Sequence, residues 1–220
     1  MKRYTAIIVL IVFMVISFSL VGNSEDNRKS SKNSNYNDKT SASNTSKQGL
    51  SKNYGDKTGN VLVVCYSLTG NTLKVANIIR NTTKGDIFVI QPEYDYSKVK
   101  SRSEMEEIGK QQVEEGFKPK LKNYVSNIDA YDLIIVGSPV WWFSVSPPVM
   151  SFLAQYDFKG KKVVPFCTCG STYGNFFTQF RNAIPDAKVL NGLVFIEPEL
   201  RNEGNVKRKI DTWLKDACYY

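Results

Sequence analysis

Six residues, Ser67-Leu68-Thr69-Gly70-Asn71-Thr72, bring three hydroxyls, an amide and a glycine together between two apolar stretches. Val61–Val64 precedes them as an unbroken run rich in β-branched residues, the pattern of a strand buried on both faces. Leu73, Val75, Ala76, Ile78 and Ile79 follow and give one apolar helical face. Strand, hydroxyl-rich turn and helix in that order set a helix N-terminus behind the hydroxyls. Its free N–H groups and partial positive charge suit a phosphate. The turn contains no Lys or Arg, so it is neither the Gly-Lys-Ser/Thr of a Walker A loop nor the G-x-G-x-x-G of a dinucleotide site. A neutral, hydroxyl-lined turn suits a phosphomonoester held by hydrogen bonds. The same residues suit helix capping equally well, the ordinary use of Ser, Thr and Asn at a helix start.

Two further stretches carry chemistry of their own. Ser138-Pro139-Val140-Trp141-Trp142-Phe143 follows the apolar run Leu133–Val136, and three successive aromatics after a buried strand cannot all face a core. They offer a platform for something flat; a hydrophobic plug over the sheet end is the alternative. Thr168-Cys169-Gly170-Ser171-Thr172-Tyr173-Gly174 combines glycines, which allow close backbone approach, with hydroxyls suited to ring carbonyls and nitrogens. One stretch fits a phosphate, one a planar ring and one the polar edge of a heterocycle. Together they describe a mononucleotide with a large flat ring. The chain has no histidine, which excludes histidine triads, histidine metal sites and histidine general bases. Cys167 and Cys169 form C-x-C, which matches neither a zinc knuckle nor a thioredoxin motif, and Cys65 belongs to a different strand, so free thiols are expected.

Three segments must position these stretches. Residues 1–22 hold Lys2 and Arg3 before the 17 uncharged residues Thr5–Val21, the pattern of an export signal. The run is just long enough for a membrane span and no A-x-A site follows, so an uncleaved signal anchor comes first and a cleaved signal peptide second. The anchor reading puts Lys2 and Arg3 inside and the domain on the outer face of the cell membrane; cleavage would make the protein secreted. Residues 23–58 are rich in Ser, Asn and Lys with few large apolar side chains, the composition of a disordered linker. From residue 59 to 220, strands and helices alternate. Strands are expected at Val61–Tyr66, Asp86–Ile90, Leu133–Gly137, Lys162–Thr168 and Val189–Phe195. Helices are expected near 72–82, 104–115, 146–156, 174–184 and 205–217. That alternation gives an α/β fold with a doubly wound parallel sheet, whose ligands lie at the carboxyl ends of the strands. The net charge of +8 is uneven: residues 60–220 hold 20 basic and 17 acidic residues. No basic patch interleaved with aromatics stands out, so no nucleic-acid partner is expected; the basic leader suits an anionic surface.

From about Gly59 to Tyr220 the sequence resembles the flavodoxin family, in the subfamily whose second loop reads P-x-W-W. The matching pieces are YSLTGNT at 66–72, DAYDLIIVGSPVWW at 129–142, PPVMSFLAQYDFKGKKVVPFCTCGS at 147–171 and PDAKVLNGLVF at 185–195. The resemblance implies a five-stranded parallel sheet of order 2-1-3-4-5 that binds FMN without a covalent bond. By position, Ser67, Thr69, Gly70, Asn71 and Thr72 resemble the phosphate loop. Pro139, Val140, Trp141 and Trp142 resemble the segment along the ring, and Thr168, Gly170, Ser171 and Gly174 the third loop. The departures fall on the ring side: Phe143 stands where the subfamily usually has Gly, and Cys169 and Thr172 replace commoner residues. Flavodoxins are typically acidic near the flavin. This mildly basic domain should destabilise a reduced, anionic cofactor less and show a less negative low potential. The expected function is electron transfer to and from a redox partner protein by a monomer tethered to the membrane. The alternatives are an FMN-dependent NAD(P)H or quinone reductase, and a wall-associated binding module without FMN.

Overall fold

The computed structural model describes residues 59–218; the expected anchor and linker at 1–58 lie outside them. Val61–Cys65 forms β1, wholly buried, with β2 (Asp86–Val89) on one side and β3 (Leu133–Trp141) on the other. β3 then pairs with β5 (Lys162–Cys169), and β5 with two short pieces, β6 (Lys188–Val189) and β7 (Leu193–Ile196). All of these pairings are parallel, and the sheet runs β2-β1-β3-β5-β6, with β7 also on β5. Counting β6 and β7 as one interrupted edge strand, this is the expected 2-1-3-4-5 order. Among the described strands the one antiparallel partner is β4 (Ser144–Val145), which folds back on the end of β3.

Side chains alternate between the two faces of the sheet, as strand geometry dictates. Leu62, Val64, Ile134 and Val136 join one core with α3 (Pro147–Gln155) and α4 (Phe176–Ala183). Val61, Val63, Ile135, Val164 and Phe166 join the other with α1 (Asn71–Thr83) and α5 (Glu203–Cys218). Helices on both faces explain why the central strands read as continuous apolar runs and not as alternating ones.

Two differences from the expected elements bear on the site. β3 continues four residues past Gly137, through Pro139, because its far end gains β4 as a hairpin partner. The fifth strand is broken at residues 190–192. The carbonyl of Val163 accepts from the Leu190 N–H at 2.9 Å, so two residues on Pro165 faces the same edge with no N–H to give. The edge strand swings past it at Gly192, where a Cβ would run into the Phe177 ring and lie 2.6 Å from the Pro165 carbonyl.

Candidate functional site

The first loop leaves β1 and enters α1 through Gly70, whose φ of 91° lies in the left-handed region. No side chain caps α1. The hydroxyls of Ser67, Thr69 and Thr72 therefore do not serve the capping use that the sequence left open. Thr72 Oγ1 instead bonds Thr168 Oγ1 at 2.8 Å in a buried contact that ties the first loop to the end of β5. Ser67 Oγ is buried and is the single buried side-chain N or O among the described residues without a hydrogen-bond partner. Such an orphan is costly unless something supplies the missing bond.

The ring-side segment is the hairpin between β3 and β4. Trp141 pairs with Ser144, so Trp142 and Phe143 are the two central residues of a two-residue turn. Their φ values, 44° and 60°, are the left-handed values such a turn demands, usually met by Asn-Gly. The three aromatics divide their roles. Trp141 is buried, edge-on to Tyr66 and Tyr96 with ring centroids 5.7 and 5.0 Å away, while Trp142 and Phe143 are exposed. Lys110 Nζ lies 5.1 Å from the Trp142 ring centre. Tyr96 donates to Gln112 Oε1 at 2.8 Å, and burial pushes its phenol above its ordinary pKa.

The third loop docks on that turn. Asn175 N–H donates to the Phe143 carbonyl at 2.9 Å, and Gly174, with φ 53°, packs so closely that a Cβ would strike Phe143. Gly174 thus seats one loop on the other. Thr168 and Cys169 are buried at the end of β5, and Gly170 is exposed. Cys65, Cys167 and Cys169 are free thiols, as expected.

The three segments meet in one open cleft of about 600 Å³ at the carboxyl ends of β1, β3 and β5. Of the residues singled out from sequence, Thr69, Asn71, Thr72, Pro139, Val140, Trp141, Trp142, Thr168 and Gly170 line it. Ser67, Gly70, Ser171 and Gly174 are not among the lining residues. A fourth wall escaped the sequence reading. Residues 91–122 leave β2 and return to its end, closed by Glu93 N–H on the Lys120 carbonyl (2.8 Å) and Lys122 N–H on the Gln91 carbonyl (2.7 Å). This excursion carries Tyr96, Ser97 and α2 (Arg102–Glu114), whose Arg102, Met105, Glu106 and Gly109 line the cleft at i, i+3, i+4 and i+7. Their helical spacing was visible, but a stripe with one apolar member gives no hydropathy signal. The turn before α5 adds Glu197 and Leu200. The cleft is thus neutral at its hydroxyl end, aromatic along one wall, and charged where α2 faces the third loop.

A family model described as Flavodoxin matches residues 60–217. No curated protein matches the chain. Among solved structures, a candidate flavoprotein from Bacteroides eggerthii is 27% identical, with a TM-score of 0.61 over 72% of this chain and 98% of its own. One from Bacteroides uniformis is 25% identical, with a TM-score of 0.60 over 70% and 99%. A flavoprotein from Lactobacillus acidophilus, solved in complex with FMN, is 19% identical, with a TM-score of 0.57 over 71% and 99%; at that identity the likeness concerns the fold.

Proposed function

Because the chain belongs to the flavodoxin family, we propose that it binds FMN in this cleft and serves as an electron-transfer protein tethered to the outer face of the cell membrane. The observation that carries the reading is the buried Ser67 hydroxyl without a partner, beside an α1 N-terminus that no side chain caps. A phosphate at the cleft end that Asn71 and Thr72 line would take the free N–H groups, with the helix dipole favouring its charge, and would give Ser67, just behind that lining, a partner on binding. The volume of the cleft lies within the roughly 300–1,000 Å³ usual for small-ligand sites. The FMN-bound relative from Lactobacillus acidophilus shares the fold.

The residues divide the work of holding the cofactor. Ser67, Thr69, Gly70, Asn71 and Thr72 would hold the phosphate through hydroxyls and backbone N–H groups. Pro139, Val140, Trp141 and Trp142 would bound the ring on its apolar side. Thr168 and Gly170 would offer hydrogen bonds to its polar edge, while Ser171 and Gly174 shape the third loop. FMN, when bound, supplies the redox chemistry; the protein orients it and sets the charge around it. Trp141, Tyr66 and Tyr96 keep water from the inner wall, and no side chain need act as a general acid or base.

Titrating the purified full chain with FMN tests the reading, with stoichiometric quenching of flavin fluorescence expected. The loaded protein should then be reduced slowly by NADH and NADPH in stopped flow. Rapid single-step bleaching would instead mark a nicotinamide-dependent reductase, and a chain that takes up no FMN would leave only a binding module.

A further inference from the structure

Among the described residues, Arg102 is the only cation that lines the cleft. It opens α2, and its Nε donates to Glu106 Oε1 at 3.0 Å, which holds the side chain against its own helix. The other side of the guanidinium faces the third loop, where Nη2 is 3.7 Å from the position a Cβ would take at Gly170. The acidic residues on the cleft are Glu106 itself and Glu197. The planar fork of a guanidinium suits a ring carbonyl and a neighbouring nitrogen. The phosphate end of the cleft needs no such cation, because the α1 N-terminus and the hydroxyls already serve it.

We propose that Arg102 is a positioning charge for the polar edge of the ring, raising the potential of bound FMN by favouring its reduced form. The proposal rests on FMN occupying the cleft. Two-electron reduction with uptake of one proton leaves the ring one unit more negative than before. A fixed positive charge beside the third loop lowers the free energy of that form and leaves the oxidised one nearly unchanged. The effect is modest because the Arg102 side chain is 82% exposed and so is partly screened by water and salt. Glu106 offsets part of the charge while it holds the guanidinium in place. The mildly basic composition thus acquires a specific residue that adds to its effect on the potential.

The test compares the Kd of oxidised FMN with that of FMN reduced by dithionite, for the full chain and for Arg102→Gln. Arg102→Gln is expected to weaken binding of reduced FMN about fivefold more than that of oxidised FMN. That ratio corresponds to a potential about 20 mV more negative, at roughly 30 mV per tenfold for two electrons. Arg102→Lys should keep most of the wild-type ratio, and the difference between wild type and Arg102→Gln should shrink as salt rises. An unchanged ratio in Arg102→Gln, with or without an equal loss of both affinities, overturns the proposal while leaving the FMN-binding reading standing. A wild-type chain that binds no FMN overturns the functional reading together with it. Unchanged circular dichroism and urea midpoint in both variants mark the fold as intact, as expected for an exposed side chain.

Discussion

Ser67, just behind the cleft lining, and Thr69, on it, separate binding from folding. Ser67 Oγ is buried and has no partner, so removing it costs the protein alone nothing and relieves an unsatisfied group. Ser67→Ala should therefore raise the unfolding free energy of the FMN-free chain by about 1 kcal/mol and lower FMN affinity at least tenfold. The two signs oppose each other, which a purely structural serine would not produce; urea melts and fluorescence titration measure them. Thr69 is exposed and makes no side-chain hydrogen bond among the described residues, so Thr69→Ala should leave the urea midpoint alone and weaken FMN about tenfold. Thr72 is a poorer probe. Its hydroxyl is bonded to Thr168 in a buried contact, and Thr72→Ala would cost roughly 1–3 kcal/mol of stability along with any affinity.

At the scale of elements, the third loop is only as well placed as the turn it rests on. Gly174 has φ 53°, and a Cβ there would strike Phe143, which is itself held at φ 60°. Gly174→Ala should cost about 2 kcal/mol or more, from left-handed strain together with overpacking, and should lower FMN affinity by displacing Gly170. A variant with wild-type stability and affinity would show that the two loops are independent. This coupling marks how far the sequence could be read. The strands were legible because Val61–Val64, Leu133–Val136 and Val163–Val164 are buried on both faces and so are apolar throughout. The first loop was legible as a turn before a helix, but a cap and an uncapped end share the same residue types and differ only in where the hydroxyls point. The extension of β3 was hidden because Pro139 reads as the end of a strand, and the break in the edge strand because it answers to Pro165 on its neighbour. Arg102 and Glu106 were hidden because two charges at helical spacing read as a solvated face.

Two properties belong to the whole molecule. The first is its limit in alkali. Burial pushes the Cys65 thiol from 9.0 up to about 12, and also raises Cys167, Tyr66 and Tyr96 above their ordinary values. Each such group keeps its proton in the fold and loses it more readily in the unfolded chain. The stability they contribute is complete below about pH 9, the unfolded thiol value, and drains as pH climbs toward 12. Urea midpoints should be flat from neutral pH to about 8.5 and fall beyond it, and Cys65→Val should make the fall shallower. The second property is location. Among the described residues no helix is long and apolar enough to cross a membrane, so tethering would depend on the leader. The leader offers two means of attachment, the uncharged run Thr5–Val21 and the basic residues around and after it. They differ in response to salt, since a buried apolar run ignores ionic strength while lysines on anionic headgroups let go as it rises. The full chain should stay in the membrane pellet through a wash at roughly 1 M salt, where the screening length is about 3 Å. The chain lacking residues 2–22 should move to the soluble fraction and still bind FMN. Release of the full chain by salt alone would make the attachment electrostatic, and a truncated chain that still pelleted would remove the anchor from the account.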